Sequence, residues 1–280
     1  MKAEEIKVAV MVMEGTNNEV ATSDAFSMLG AVPEIVHINQ FQKKDIPGDM
    51  KRRIDDYQCL FFPGGFSAGD YVRAGAIWAA RMRATLKDDI VKFVRDGYPV
   101  GGVCNGFQVL VELGLLPGGS SEVIPDYPSA ILRLNKSSHF ECRHVLLRHV
   151  SRGRCAWTKN VGRDAVVEMP IAHGEGNFTL PSDTADAKVK ELVSNDQIVF
   201  RYVDDTGKFS DEYPWNPNGS IYNIAGVCNR EGNVFGMMPH PERVLSKYLL
   251  QRWHHMKGAG EEGPGVLVFS SVLDYIKRRF

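Results

Sequence analysis

The chain has 280 residues, with 33 Lys and Arg against 34 Asp and Glu, a formal charge of -1, and 44% hydrophobic, 24% charged and 10% aromatic residues. These proportions are globular and exclude a disordered or fibrous chain, and the balanced charge offers no general attraction to nucleic acid or to an anionic membrane. No apolar run reaches the roughly 18 residues of a membrane span, and the start Met1-Lys2-Ala3-Glu4-Glu5 has no apolar core behind it, so the sequence predicts a cytoplasmic protein without a signal peptide.

In chain order, Val8-Ala9-Val10-Met11-Val12 reads as a buried strand. Thr16-Asn17-Asn18-Glu19 carries helix-starting chemistry, and Gly30 is placed to end that helix. Ile35-Val36-His37-Ile38 and Tyr57-Gln58-Cys59-Leu60-Phe61-Phe62 predict two more strands, the latter stopped by Pro63-Gly64-Gly65. Residues 70 to 96 read as helical up to Gly97, Tyr98 to Val103 as a fourth strand, and the next stretch as a short helix ending at Gly114. This alternation predicts a parallel sheet covered on both faces. From 130 to 240 the pattern turns β-rich, with runs at 130–134, 197–203 and 224–227 and a hairpin turn at Arg230-Glu231-Gly232-Asn233. From about 242 it reads as helical again, broken by a Gly-rich surface loop at 258–265. With no Ser/Pro-rich linker and no repeat, residues 1–280 read as a single α/β domain.

Five cysteines stand at 59, 104, 142, 155 and 228, an odd count with no Cys-x-x-Cys pair, which favours free thiols in a reducing compartment. Cys104 differs from the rest. Gly102-Val103-Cys104-Asn105-Gly106 joins a predicted strand to a predicted helix, the setting of a nucleophile on a sharp turn. The helix N-terminus favours thiolate, and the Asn105 N–H can face a developing oxyanion. The same pattern also suits a core cysteine in a tight turn. His240 and Glu242, in Met237-Met238-Pro239-His240-Pro241-Glu242-Arg243, share a face if the chain stays extended, so that a carboxylate orients an imidazole. The alternative there is an inert histidine in a Pro-rich turn. His139, His144 and His149 fit neither a helix face nor a strand face, and Cys142 with His144 lacks a second ligand pair for a metal. His254 and His255, beside Trp253, read as an exposed helix end.

Long stretches of the chain resemble the class I glutamine amidotransferases, and among them the family of glutaminase subunits (subunit I) of phosphoribosylformylglycinamidine synthase. The resemblance rests on the run from Phe62-Pro63-Gly64-Gly65-Phe66-Ser67 to Gly75-Ala76-Ile77, on Gly102 to Gln108, and on Glu112 to Gly118. It also rests on Phe140-Glu141-Cys142-Arg143, Ile171-Ala172-His173-Gly174-Glu175-Gly176 and Gly236 to Arg243. It implies an open, mostly parallel, flavodoxin-like sheet flanked by helices, with a β-rich second half. By the same resemblance Cys104 attacks the glutamine carboxamide, His240 is the general base that later protonates ammonia, and Glu242 orients His240. Gly65 and Asn105 would supply the oxyanion-hole N–H groups, and Gln108, Gly64 and His173 would lie against bound glutamine.

The family's reaction converts formylglycinamide ribonucleotide to formylglycinamidine ribonucleotide with glutamine and ATP, in de novo purine synthesis. This chain has no Gly-x-x-x-x-Gly-Lys-(Ser/Thr) loop. The resemblance therefore implies no cofactor or metal in this chain, with ATP and Mg2+ on a large synthase subunit and a small third subunit in the complex. Part of 66–77 is expected to contact the synthase, unless Tyr71, Ile77 and Trp78 are ordinary helix packing. Residues 78–92 and 250–265 read as surface extensions. A cysteine peptidase of the same sheet type would carry its base beside the nucleophile, where this chain has Asn105. A catalytically silent scaffold would have no need of Cys104, His240 and Glu242 together.

Overall fold

The structure is a computed structural model that describes residues 1–41, 46–119, 122–251, 253–255 and 260–280. The first half alternates β1 (Lys7–Val12), α1 (Glu19–Met28), β2 (Val32–His37), α2 (Ile38–Phe41), β3 (Cys59–Phe62), α3 (Ala76–Arg95), β4 (Val100–Val103) and α4 (Asn105–Glu112). The second half adds β5 (Ile131–Arg133), β6 (Glu141–His149), β7 (Val166–His173), β8 (Asn177–Thr179), α5 (Ala185–Ser194), β9 (Ile198–Val203), β10 (Ile224–Cys228), β11 (Val234–Met237) and α6 (Gly265–Arg279).

Nine strands form one sheet in the order β2-β1-β3-β4-β11-β10-β9-β6-β7, and β5 pairs with β8 in a small ribbon. The strands from β2 to β11 run parallel, and those from β11 to β7 antiparallel. All residues of β3, β4, β9, β10 and β11 are buried, which is why these segments read as nearly continuous apolar runs, interrupted in β9 by the buried Arg201, rather than alternating ones. The alternation of a strand distributes β3 to both faces. Phe61 packs on Phe26 of α1 and Phe269 of α6, at 5.6 and 5.8 Å between ring centroids, while Phe62 packs on Trp78 of α3 at 5.4 Å.

Several boundaries differ from the sequence reading. Ile38 opens α2 instead of extending β2. The helix expected over 70–96 begins at Ala76; before it the chain makes a short turn in which Ala68 and Asp70 hold φ of 50° and 54°. Residues 78–92 are no surface extension: Trp78, Met82, Leu86 and Ile90 of α3 are buried against the sheet. From 242 to α6 the described chain makes short 3-10 turns and one antiparallel bridge, Ser246 with Glu262. In the Gly-rich stretch expected as a loop, residues 258 and 259 lie outside the described residues. No helix among the described residues is long and apolar enough to cross a membrane.

Candidate active site

The site lies where β4 and β11 end side by side. These strands run parallel in register, Val103 opposite Met237, so the residues just beyond them are brought together. Beyond β4 comes Cys104, with φ 52° and ψ −111°, a strained conformation at the start of α4. The turn is so tight that a Cβ on Gly106 would collide with the Phe62 carbonyl. Beyond β11 come Met238 and Pro239, then His240, still extended at φ −104° and ψ 93°. Extension ends there, because Pro241–Arg243 is a 3-10 turn, yet this turn delivers Glu242 onto the ring: His240 Nδ1 and Glu242 Oε1 are 2.6 Å apart.

His240 is 0% and Glu242 4% exposed. Burial opposes protonation of the imidazole, but Glu242 and the nearby Cys104 outweigh it and push the His240 pKa up to about 9. His240 Nε2 makes no hydrogen bond of regular geometry among the described residues, but Cys104 stands near enough to act on the ring as a hydrogen-bonding neighbour. The Cys104 thiol donates to the Ala172 carbonyl at 3.5 Å. The adjoining Pro170 carbonyl accepts from the His240 N–H at 2.9 Å. Both carbonyls belong to β7, so the free edge of the last strand closes over the catalytic pair.

Gly64 lies against both: a Cβ there would stand 2.9 Å from His240 Cε1 and 3.4 Å from Cys104 Cβ. Its carbonyl accepts from the Asn17 and Asn18 N–H groups, and Phe66 N–H donates to Gly15 O. Among the described residues this pairing gives the Gly65 N–H no acceptor, and Asn105, first in α4, has no helical acceptor for its own. Asn18 Oδ1 is held by Arg243 at 2.8 Å.

A second polar network ties the nucleophile's helix to its surroundings. Asn105 Oδ1 accepts from Ser67 N–H, and its Nδ2 donates to Asp70 Oδ1 and Gln108 Oε1. Gln108 Nε2 donates to the Glu175 carbonyl at 2.6 Å, so both ends of the Gln108 amide are engaged within the protein. Burial, reinforced by Glu175, pushes Asp70 up to about 6. His173 is 2% exposed, and its burial, with the charge of His240, holds its pKa down to about 3.

The fold thus brings Gly64, Gly65, Cys104, Asn105, His240 and Glu242 together, with Gln108 and His173 in the walls around them. Sequence reasoning missed Ala172, Asn18 and Asn135, whose parts depend on backbone carbonyls and loop contacts that leave no motif. Among the described residues no group of three or more His, Cys, Asp or Glu is arranged to hold a metal. Cys142 is exposed, and His144 lies 2.7 Å from Glu168.

A strained cysteine at a strand–helix elbow, facing a carboxylate-oriented histidine over a mixed sheet, has the layout of a glutamine amidotransferase. The model of the CobB/CobQ-like glutamine amidotransferase domain matches residues 5–276. The chain is 52% identical over 279 residues to phosphoribosylformylglycinamidine synthase subunit PurQ of Archaeoglobus fulgidus, covering 99% of this chain and 100% of that one. It is 46% identical over 257 residues to the protein of that name in Picrophilus torridus, covering 91% and 94%. A chain of the PurLQS structure from Thermotoga maritima superposes with a TM-score of 0.70 at 30% identity, over 97% of this chain and 99% of that one. The chain belongs to the glutamine amidotransferases, and within them to the family of phosphoribosylformylglycinamidine synthase subunits designated PurQ.

Proposed function

We propose that this chain, acting as a single domain over 1–280, is the glutaminase subunit of phosphoribosylformylglycinamidine synthase and releases ammonia from glutamine through Cys104, His240 and Glu242. The Cys104 sulfur attacks the side-chain carboxamide carbon as a thiolate, its proton held by His240, whose pKa is pushed up to about 9. Glu242 at 2.6 Å from Nδ1 holds the ring and stabilises the imidazolium that results. The negative charge on the carboxamide oxygen is met by the N–H groups of Gly65 and Asn105. Collapse of the tetrahedral intermediate breaks the C–N bond, and His240 gives its proton to the departing ammonia. Water, deprotonated by the same ring, then cleaves the thioester to glutamate. Gly64, Gln108 and His173 wall the pocket that receives glutamine.

The ammonia passes to a large synthase subunit, which uses ATP with Mg2+ to make formylglycinamidine ribonucleotide for purine biosynthesis; a small third subunit completes the complex. Free rather than bridged cysteines suit work in a reducing cytoplasm. The synthase docks on part of 66–77. Ile77 is half-buried and its neighbour Trp78 is core, but Tyr71 is 89% and Val72 72% exposed, next to Asp70, which bonds Asn105. Arg73 is spent on a bidentate pair with Glu112, and Asp70 on Asn105, so Tyr71 and Val72 are the side chains free to meet a partner.

The observation that carries this reading is the buried His240–Glu242 pair beside an elbow cysteine. Cys104→Ala is expected to lower glutamine-dependent turnover of the complex by roughly 10⁴-fold or more while leaving ammonia-dependent turnover intact. Retention of glutamine-dependent activity in that variant would refute the assignment.

A further inference from the structure

Asn135, in the loop between β5 and β6, is 2% exposed and uses every hydrogen-bonding position of its side chain. Its Nδ2 donates to the carbonyls of His139 and His173 at 2.9 and 2.8 Å. Its Oδ1 accepts from the Gly176 N–H at 2.9 Å and lies 3.1 Å from His173 Nδ1. Its own N–H donates to the Gly174 carbonyl at 2.8 Å. The Asn135 side chain therefore pins 173–176 at both ends, and its backbone N–H holds the middle. The same segment is fastened from below, because Ser220 Oγ donates to the Gly176 carbonyl at 3.1 Å.

The network also decides where the His173 proton sits. Two carbonyls and a backbone N–H fix which end of the Asn135 amide is oxygen, and that oxygen faces Nδ1. Two acceptors cannot face each other at this distance, so Nδ1 carries the hydrogen. Nε2 is then a bare lone pair, and it is buried with no partner among the described residues. The ring lies flat over Gly176, where any side chain would strike it.

We propose that Asn135 is a positioning residue for the glutaminase reaction: it holds the 173–176 wall of the pocket and fixes His173 as the uncharged Nδ1–H tautomer beside His240. The reason is electrostatic. His240 carries the thiol proton as an imidazolium, and a second cation at His173 would oppose that charge. The ionisable groups near His173 include His240, Cys104 beyond Ala172, Glu141 opposite it in the β6–β7 register, and Glu175 in the same segment, whose carboxylate accepts from the Ala74 N–H. Glu141 is occupied by Ser137 and Arg143, which leaves the neutral Asn135 amide as the group that contacts the ring.

The proposal rests on the glutaminase reading, and its test separates the two. Asn135→Asp gives up the Nδ2 donors to the His139 and His173 carbonyls, as Asn135→Ala does, but in addition places a carboxylate against Nδ1, which favours a charged His173, so the pH dependence rather than the size of the loss is the readout. In the complex this variant is expected to lose tenfold or more in kcat/KM for glutamine near pH 6 and to recover toward pH 8.5, a limb the parent protein lacks. Asn135→Ala is expected to raise KM for glutamine without adding that limb. In the unmutated protein, nitrogen NMR of the ring, assigned by its loss in His173→Gln, is expected to show an uncharged Nδ1–H tautomer across that range. An Nε2–H tautomer or an imidazolium at pH 7 would overturn the proposal, as would an equal loss in Asn135→Asp at every pH. These NMR results stand whether or not Cys104→Ala abolishes turnover, so a failure of the wider reading is recognised separately.

Discussion

A fully buried imidazole resists a proton, and His240 accepts one because Glu242 and Cys104 surround it. Its raised pKa ties stability to pH. The stabilisation is complete below about 6.5 and is lost as pH rises through about 9. Glu242→Gln removes the charge that holds this proton. It is expected to lower kcat by about 10²- to 10⁴-fold, and to lower the thermal midpoint at pH 7 by more than it does above pH 9.5, as thermal melts at the two pH values would show. Asp70 has the opposite economy: its pKa is raised from 3.8 to about 6, so the native state resists its ionisation and stability falls across that interval. Asp70→Asn is therefore expected to melt above the parent protein at pH 8 and to lose that advantage at pH 3.5. At this scale Cys104, His240 and Glu242 were legible in the sequence because glycines and prolines frame them. Ala172 was not legible, because a carbonyl that accepts from a thiol can belong to any residue.

The elements explain why the framing glycines matter. Helix α4 starts immediately after β4 and lies so close to β3 that Gly106 touches the Phe62 backbone. Gly106→Ala is expected to displace α4, lower the melting temperature sharply and remove glutaminase activity. Gly48→Ala, with open space around the added carbon, is expected to melt like the parent. The buried strands were readable as nearly continuous apolar runs, and the Arg230-Glu231-Gly232-Asn233 turn falls between β10 and β11 as expected. The start of α3 was misplaced because Asp70 at φ 54° and Gly75 at φ 79° break the helical path before Ala76. The extended path expected through Pro241 was also wrong in detail. A 3-10 turn placed Glu242 on His240 instead, because Pro241 is well tolerated at the first position of such a turn.

For the whole molecule, the decisive arrangement is the return of the antiparallel half onto the parallel one. The free edge of β7 supplies carbonyls to both His240 and Cys104, although β7 lies at the far end of the sheet order. Nothing in the sequence announces such a return, since it depends on sheet curvature rather than on any local pattern. It leaves the thiol donating to Ala172 while His240 Nε2 makes no hydrogen bond of regular geometry among the described residues. The isolated chain is accordingly expected to hydrolyse glutamine slowly and to gain tenfold or more in turnover when the synthase partner is added. Full turnover by the chain alone would contradict this gating. Val72→Asp with Tyr71→Asp is expected to weaken assembly with the synthase, read by sedimentation, while leaving the melting temperature of the isolated chain unchanged.

The most direct test of the central claim is to quench the complex in acid during glutamine turnover and map its peptides by mass spectrometry. A γ-glutamyl thioester is expected on the peptide that carries Cys104 and is expected to be absent from Cys104→Ala. A glutamyl adduct on the exposed Cys142 instead, or ammonia release that continues without Cys104, would contradict the claim.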